Sequence, residues 1–437
     1  MMNQENLQRS LDLLLRTGCL LMESAADTSR TMRTMKRVAA FLGLPLERLN
    51  IYIVYNMLMV NLSDDECSYT KFQRVEKHGV NLDTLRQVSH LSCKAMQLHY
   101  QLDSYEQALD YIAHQQRNYS PWQVAVGGGL ACGGFCIQFG CDWTAFFYAA
   151  IAAILGLRLR MLLRQKGSNA YVNIGVAAFV STLLAWAFSL LSASAQTSSW
   201  LPQMLVSSTP WHPLLACALF IVPGVPLINF VSDMLSGYTQ VGMTRAVNTL
   251  MMLLAMAFGI AFAIQVCGID NFAKDLPMTP HHAYDEYMLA AAISAIGFSM
   301  IFNTPRHLMW VVALGGIISV CTRNFVNLGP SSGNIGLDQG LVVGSFAGSA
   351  VVSIICCALV HRLHTPHQLL SIPSVIPMIP GVLMYRALFA FINMHGVEGE
   401  VTVAMNNAIQ ASLIILFIAL GVAIPNVFFR RMISPRG

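Results

Sequence analysis

The sequence predicts a membrane all-α fold: ten transmembrane helices arranged as two inverted five-helix repeats, behind a small cytoplasmic α+β N-terminal domain. Three observations carry this. The 437 residues are 55% hydrophobic and 11% charged, with mean hydropathy +0.54, which excludes an ordinary soluble enzyme. Charge is concentrated at one end: residues 1–120 hold 13 Lys/Arg and 13 Asp/Glu, and the remaining 317 residues hold the other 13 and 9. A Pro-Gly-Val stretch recurs in two apolar segments at corresponding places in the chain.

The expected domains are 1–120, a first repeat at 121–267 and a second at 268–437. The opening MMNQENLQRSLDLLLR is polar and amphipathic, without the parts of a signal peptide. Leu7, Leu11, Leu14, Leu15, Gly18 and Leu21 share one helix face. A second helix is expected from Thr28 to Leu42, stopping at Gly43-Leu44-Pro45. Residues 50–63 read as one strand, able to pair with 69–77 across the DDECS turn. Asn81 caps a third helix, and 104–116 form a fourth.

Ten apolar segments follow, near 123–141, 143–158, 170–195, 213–235, 246–267, 285–303, 307–322, 336–361, 366–394 and 401–429. With the N-terminal domain in the cytoplasm, that side receives Arg158, Arg160, Arg164, Lys166, Arg245, Arg306, Arg362, Arg430, Arg431 and Arg436. The outer side receives Lys274 and Arg323 and the acidic loops DNFAKDL and HGVEGE, so both termini are expected in the cytoplasm.

FIVPGVPLINFVSDML (220–235) matches MIPGVLMYRALFAFI (378–392), and an Asn follows each proline by about 25 residues, Asn248 and Asn406. GGFCIQF (133–139) matches AIGFSMIF (295–302) more weakly. A repeat with an odd number of spans inserts its second copy upside down, a transporter architecture with its site at the repeat interface. The candidate substrate-binding residues are Pro223, Gly224, Asn229, Asp233, Asn248, Pro380, Gly381, Tyr385, Arg386 and Asn406. A Pro-Gly break frees backbone groups, and the half-helix N-terminus it creates suits a carboxylate. Arg386, deep in a span where the first repeat has Asn229, could hold a carboxylate bidentately, snorkel outward, or pair with Asp233. Asp233 could bind an ammonium or carry a proton; a helix-end carboxylate in water is the favoured reading. The asparagines could equally be interhelical glue.

Other patterns are structural. GGGLACGG (127–134) and Gly340-x3-Gly344-x3-Gly348 read as close-packing helix surfaces. The 11 cysteines include no CxxC and read as packing residues. HRLHTPH (361–367) reads as a basic loop rather than a metal site. No catalytic residue, metal, cofactor or nucleic-acid partner is indicated; the expected partners are a small-molecule substrate, protons and the lipid bilayer, with homo-oligomerisation left open.

GCLLMESAADTSRTMRTMKRVAAFLGL (18–44) resembles the opening segment of the threonine/serine exporter family, whose members carry a Glu-Ser-Gly-Ala-Glu-Thr-like stretch before a helix. Here it stands as Glu23-Ser24-Ala25-Ala26-Asp27-Thr28, with Ala for the usual Gly and Asp for the usual Glu. NLDTLRQVSHL (81–91) and PGVLMYRALF (380–389), with Tyr385-Arg386, are also similar to family patterns, so the resemblance spans the whole chain. It implies export of L-threonine and L-serine across the bacterial inner membrane, driven by the proton gradient. Two-subunit relatives imply a dicarboxylate (succinate) alternative. A hydrolase built on Glu23, Ser24 and a His such as His90, and a passive channel, are the readings of other classes.

Overall fold

The computed structural model describes residues 4–63, 67–98, 100–198, 200–269, 283–330, 335–363, 365–392 and 398–428. The N-terminal unit comprises α1 (Gln4–Glu23), α2 (Thr28–Phe41), β1 (Leu49–Val54), β2 (Met57–Ser63), β3 (Ser68–Arg74), α3 (Leu82–Gln97) and α4 (Leu102–His114). It has its own core, in which Leu11, Leu14, Leu15 and Leu21 of α1 meet Met35 and Val38 of α2 and Val88 of α3. Gly18 lets α1 cross α2 closely, since a Cβ there would lie 2.7 Å from the Met35 sulfur. Gly43, at φ +71°, ends α2, with Leu44 N–H reaching back to the Ala39 carbonyl.

The stretch 50–63 is a hairpin rather than one strand. Val54 pairs with Met57 across a Tyr55-Asn56 turn, and β2 then pairs with β3 in an antiparallel sheet of order β1-β2-β3. The apolar run continues through Tyr55 without Gly or Pro, so the turn left no mark in the pattern.

The rest of the described chain is helical: α5 (Pro121–Gln138), α6 (Trp143–Gln165), α7 (Ala170–Thr197), α8 (Pro213–Ala216), α9 (Gly224–Leu235), α10 (Thr239–Val266), α11 (Tyr284–Ile301), α12 (Met309–Asn327), α13 (Leu341–Leu363), α14 (His367–Val375), α15 (Gly381–Ile392) and α16 (Glu398–Phe428). Among the described residues six helices are long and apolar enough to cross a membrane, and eight if each bent pair is one span. α5 and α11, rich in Gly and Ala, fall short of that measure but pack against each other at the centre of the bundle.

The two bent pairs are built alike. A 3-10 turn at Leu219–Ile221 precedes α9, and one at Ile376–Met378 precedes α15. Gly224 N–H donates to the Val222 carbonyl at 2.8 Å, and Gly381 N–H to the Ile379 carbonyl at 2.8 Å. Pro223, at φ −80° and ψ 65°, centres an inverse γ-turn. Each new helix then starts with a bond back to its proline, Leu227 to Pro223 and Met384 to Pro380. The bends are 57° and 55°.

Packing is duplicated too. α5 meets α6, α6 meets α7, α7 meets α10 and α9 meets α10; the corresponding contacts are α11 to α12, α12 to α13, α13 to α16 and α15 to α16. Close approach is made at glycines: Gly297 lies over the Gly127 carbonyl, and Gly348 over the Ser319 carbonyl. GGGLACGG, Gly344 and Gly348 therefore make the close approaches their sequence indicated, whereas Gly340 stands at φ +85° just before α13 with nothing packed on it.

The N-terminal unit sits on the face of the bundle that holds the turns at 236–238, 302–305 and 365–366. Leu82 N–H donates to the Phe302 carbonyl, Asn303 bonds both Asn81 and the Asn118 N–H, and Tyr119 donates to the Thr304 carbonyl. This is the face expected to carry Arg306 and Arg362. Lys274, the DNFAKDL loop, residues 395–397 of HGVEGE, and Arg430, Arg431 and Arg436 lie outside the described residues.

A Cβ at Gly297 would stand 2.4 Å from the Gly127 carbonyl oxygen, a backbone atom that cannot step aside. Gly297→Val is expected to lower stability by roughly 1–3 kcal/mol. Gly175→Ala, whose nearest atom is 3.3 Å away, should cost less. Thermal unfolding of the two variants in detergent checks the order.

Candidate functional site

The site begins where α1 gives way to α2. Ala25 adopts φ +64°, the left-handed region, which costs an L-residue with a Cβ roughly 1–2 kcal/mol. That turn aims the next carbonyls and the first N–H of α2 at the membrane helices. Asn229 Nδ2 donates to the Ala25 carbonyl at 2.8 Å. Arg245 Nη2 donates to the Ala26 carbonyl at 2.9 Å, and the Thr28 N–H donates to Asp233 Oδ1 at 2.8 Å. Asp233 thus lies against the positive end of α2. Its other oxygen faces Arg245 Nε at 3.1 Å.

The same helix reaches the second broken span. Arg30 Nε donates to Gln368 Oε1 of α14 at 2.7 Å, with Asp27 at 3.6 Å on its other side. Burial pulls the Arg30 guanidinium down to about 10, partly opposed by Asp27. The motif from Glu23 to Thr28 thus ties the N-terminal unit to α9 and α10, and Arg30 just beyond it ties the unit to α14.

Beside this grip lies a cavity of about 480 Å³. Pro223, Gly224, Val225, Pro226 and Asn229 of α9 line one wall, and Arg245, Asn248, Thr249 and Met252 of α10 another. Arg160 and Arg164 come from α6, and the N-terminal unit supplies Glu23, Ser24, Tyr55, Lys77, His78 and Asn81; Arg117 enters from the connection after α4. Five cations, Lys77, Arg117, Arg160, Arg164 and Arg245, face one acid, Glu23, among the described residues. Burial raises the Glu23 pKa, opposed by Lys77 and by backbone N–H groups of Lys77 and Glu76. Burial lowers the His78 pKa, and Arg245 adds to that.

Of the sequence-predicted residues, Pro223, Gly224, Asn229 and Asn248 share this cavity, and Tyr171 donates to Asn248 at 3.1 Å. Asp233 does not line it. It is fully buried, which overturns the reading of a helix-end carboxylate in water; the N-terminal unit covers it. Its ion-pair partner is Arg245, which was read as a loop charge but sits inside α10.

Pro380 and Gly381 meet the first break directly: a Cβ at Gly381 would touch Leu219, and one at Gly224 would touch Ile376 and Ile379. The space between the breaks is lined by apolar side chains such as Phe135, Leu219 and Phe298, and has no room for a water molecule. The two breaks therefore meet as packed surfaces rather than across a shared chamber. Tyr385 is buried and Arg386 half-buried on α15, and neither lines the cavity; Asn406 is exposed on α16.

Sequence reasoning missed Arg160 and Arg164 as cavity residues because α6 runs on to Gln165. It passed over Tyr55, Lys77 and His78, which only the sheet's position brings to the membrane helices. His90 is exposed and does not line the cavity that holds Glu23 and Ser24. His367, read as part of a basic loop, is buried at the start of α14; His364 lies outside the described residues. Among the described residues no cluster of His, Cys, Asp or Glu could hold a metal.

Apolar helices in two similarly packed sets, two identically broken spans and a polar cavity at one break define a multi-pass membrane transporter. The chain belongs to the threonine/serine exporter family: the family described as putative threonine/serine exporter matches residues 12–267, and a second one, described as threonine/serine exporter, ThrE, matches residues 287–428. The chain is 22% identical to the threonine/serine exporter of Corynebacterium glutamicum, over 97% of this chain and 83% of that one. It is 19% identical to the probable threonine/serine exporter of Mycobacterium tuberculosis, over 92% and 74%. It is 24% identical to the probable succinate transporter subunit YjjP of Escherichia coli K12, over 60% of this chain and 95% of that one. No solved structure matches the chain.

Two outcomes are expected. Ala25→Gly relieves the left-handed strain and raises stability by about 1 kcal/mol, read as a higher Tm. Asp233→Ala leaves Arg245 buried without its partner and costs about 3–5 kcal/mol, whereas Asp233→Ala with Arg245→Met costs less, read by a double-mutant cycle.

Proposed function

We propose that the chain exports L-threonine and L-serine from the cytoplasm as a proton-coupled secondary transporter working by alternating access. The cavity at the first break is its cytoplasm-facing substrate chamber, and that cavity is the observation that carries the reading. Its volume, about 480 Å³, falls within the roughly 300–1,000 Å³ of small-molecule sites. It offers a half-helix N-terminus, three asparagine amides, cations and one acid, groups suited to a small polar zwitterion.

The reading includes ten spans in two inverted sets, 121–267 and 268–437, behind a domain at 1–120, in a bacterial inner membrane with both termini in the cytoplasm. The matched turns at Pro223 and Pro380 and the duplicated packing support the repeat. The N-terminal unit acts as the cytoplasmic closure: its α1–α2 turn ties α9, α10 and α14, so a full opening on that face includes its release. In the opposite state the second break opens on the outer face, where Tyr385 and Arg386 serve the substrate carboxylate.

A second reading, dicarboxylate export, is favoured by one observation: the cations lining the cavity outnumber the acid. Arg160 and Arg164 supply the second cation that a dicarboxylate would need. The E. coli relative's name points the same way.

Proteoliposomes loaded with labelled threonine should show counterflow that depends on the pH gradient. Unlabelled threonine and serine should compete and succinate should not; the reverse order selects the dicarboxylate reading. Arg386→Ala should abolish counterflow without lowering Tm, and undiminished transport would remove Arg386 from the site.

A further inference from the structure

We infer that Glu23 is the side chain that makes the chamber select a substrate ammonium, and so an amino acid over a dicarboxylate. The inference rests on the reading of the cavity as the substrate chamber. An amino acid and a short dicarboxylate share one carboxylate and differ in the charge at the other end. The α9 N-terminus and the surrounding cations answer a carboxylate, and by themselves they would favour a dianion over a zwitterion. Discrimination therefore needs an acid that a second carboxylate would meet as a like charge.

Among the described residues only Glu23 fits that place in the chamber wall. Asp233, the acid that sequence position favoured for an ammonium, is fully buried and engaged by the Thr28 N–H and Arg245. Glu23 is the last residue of α1, immediately before the turn that grips the membrane helices, so its backbone is fixed. The Gly79 N–H bonds its main-chain carbonyl at 3.2 Å. Backbone N–H groups of Glu76 and Lys77 hold its carboxylate, which has about four lone-pair sites and so keeps acceptor capacity for a cationic ligand. Burial disfavours its charged form despite Lys77 nearby, and a bound ammonium would favour that form.

The test uses the full chain in proteoliposomes with three labelled substrates, threonine, serine and succinate. Glu23→Gln is expected to cut threonine and serine transport by roughly 10- to 100-fold, the scale of a lost charge-assisted hydrogen bond, and to admit succinate, which the unaltered chain excludes. Glu23→Asp should restore part of the threonine transport. The substitution should not lower Tm at pH 7, because it removes a charge that burial already disfavours. Loss of threonine and serine transport with no gain of succinate transport, or unaltered threonine transport, overturns the assignment. Asn248→Trp separates the two levels. It should fill the chamber and block every substrate; if it blocks none, the chamber reading falls, and the Glu23 inference with it. If it blocks all while Glu23→Gln leaves the substrate order unchanged, only the inference on Glu23 is lost.

Discussion

The docking of the α1–α2 turn onto Asn229, Asp233, Arg245 and Gln368 is the contact on which the rest of the arrangement depends. Asp233 and Arg245 are buried charges, and burial of such a pair is sustained only when its remaining hydrogen-bonding capacity is met. The membrane helices meet it only in part. The Thr28 N–H and the Ala26 carbonyl, both from the N-terminal unit, supply two further bonds to it. Remove that unit and an ion pair at the end of a broken span would face solvent with its geometry undefined. The strained Ala25 is held in place by the same contact: its left-handed turn is what lets carbonyls 25 and 26 point the same way as the start of α2.

The duplicated γ-turns explain why a broken span can be stable within a membrane. Each break keeps its central carbonyl and N–H paired through the Val222–Gly224 or Ile379–Gly381 bond, and each new helix is tied to its own proline. Little backbone is left without a partner, as the bilayer requires. The breaks then pack glycine against leucine and isoleucine, so the two bent pairs meet in a close apolar contact with polar groups beside it. That combination suits two bundles that rock against each other.

Much of the architecture was legible in the sequence, because long apolar segments and Pro-Gly interruptions carry strong local signals. Of the ten apolar segments expected, six helices and two bent pairs are long and apolar enough to cross a membrane among the described residues, and the two breaks match residue for residue. The hairpin at Tyr55-Asn56 was hidden by an apolar run through its turn. The site was harder to read, because it is assembled across distance. Pro223, Gly224, Asn229 and Asn248 could be marked by the repeat. Lys77, His78 and Arg160 could not, since nothing local says that a sheet will lie against a helix break. Asp233 was misjudged for a related reason: it ends a span and looks wet until α2 covers it.

The division of labour between the repeats follows from where the cavity residues lie in the chain. Apart from Ile301 and Phe302, they run from Leu20 to Met252, all within the first family match at 12–267. The cavity is thus lined mainly by the N-terminal unit together with α6, α9 and α10, the unit supplying the acid and α9 the broken helix. The second repeat contributes the backing: Ile376 and Ile379 behind Gly224, and Gln368 as the far anchor for Arg30. Its own charge, Arg386, is absent from the chamber wall. Two sets of helices that share a turn geometry yet differ in this way are not redundant. One presents its break to a cavity while the other keeps its break packed, an asymmetry that alternation between two faces would produce from a symmetric plan.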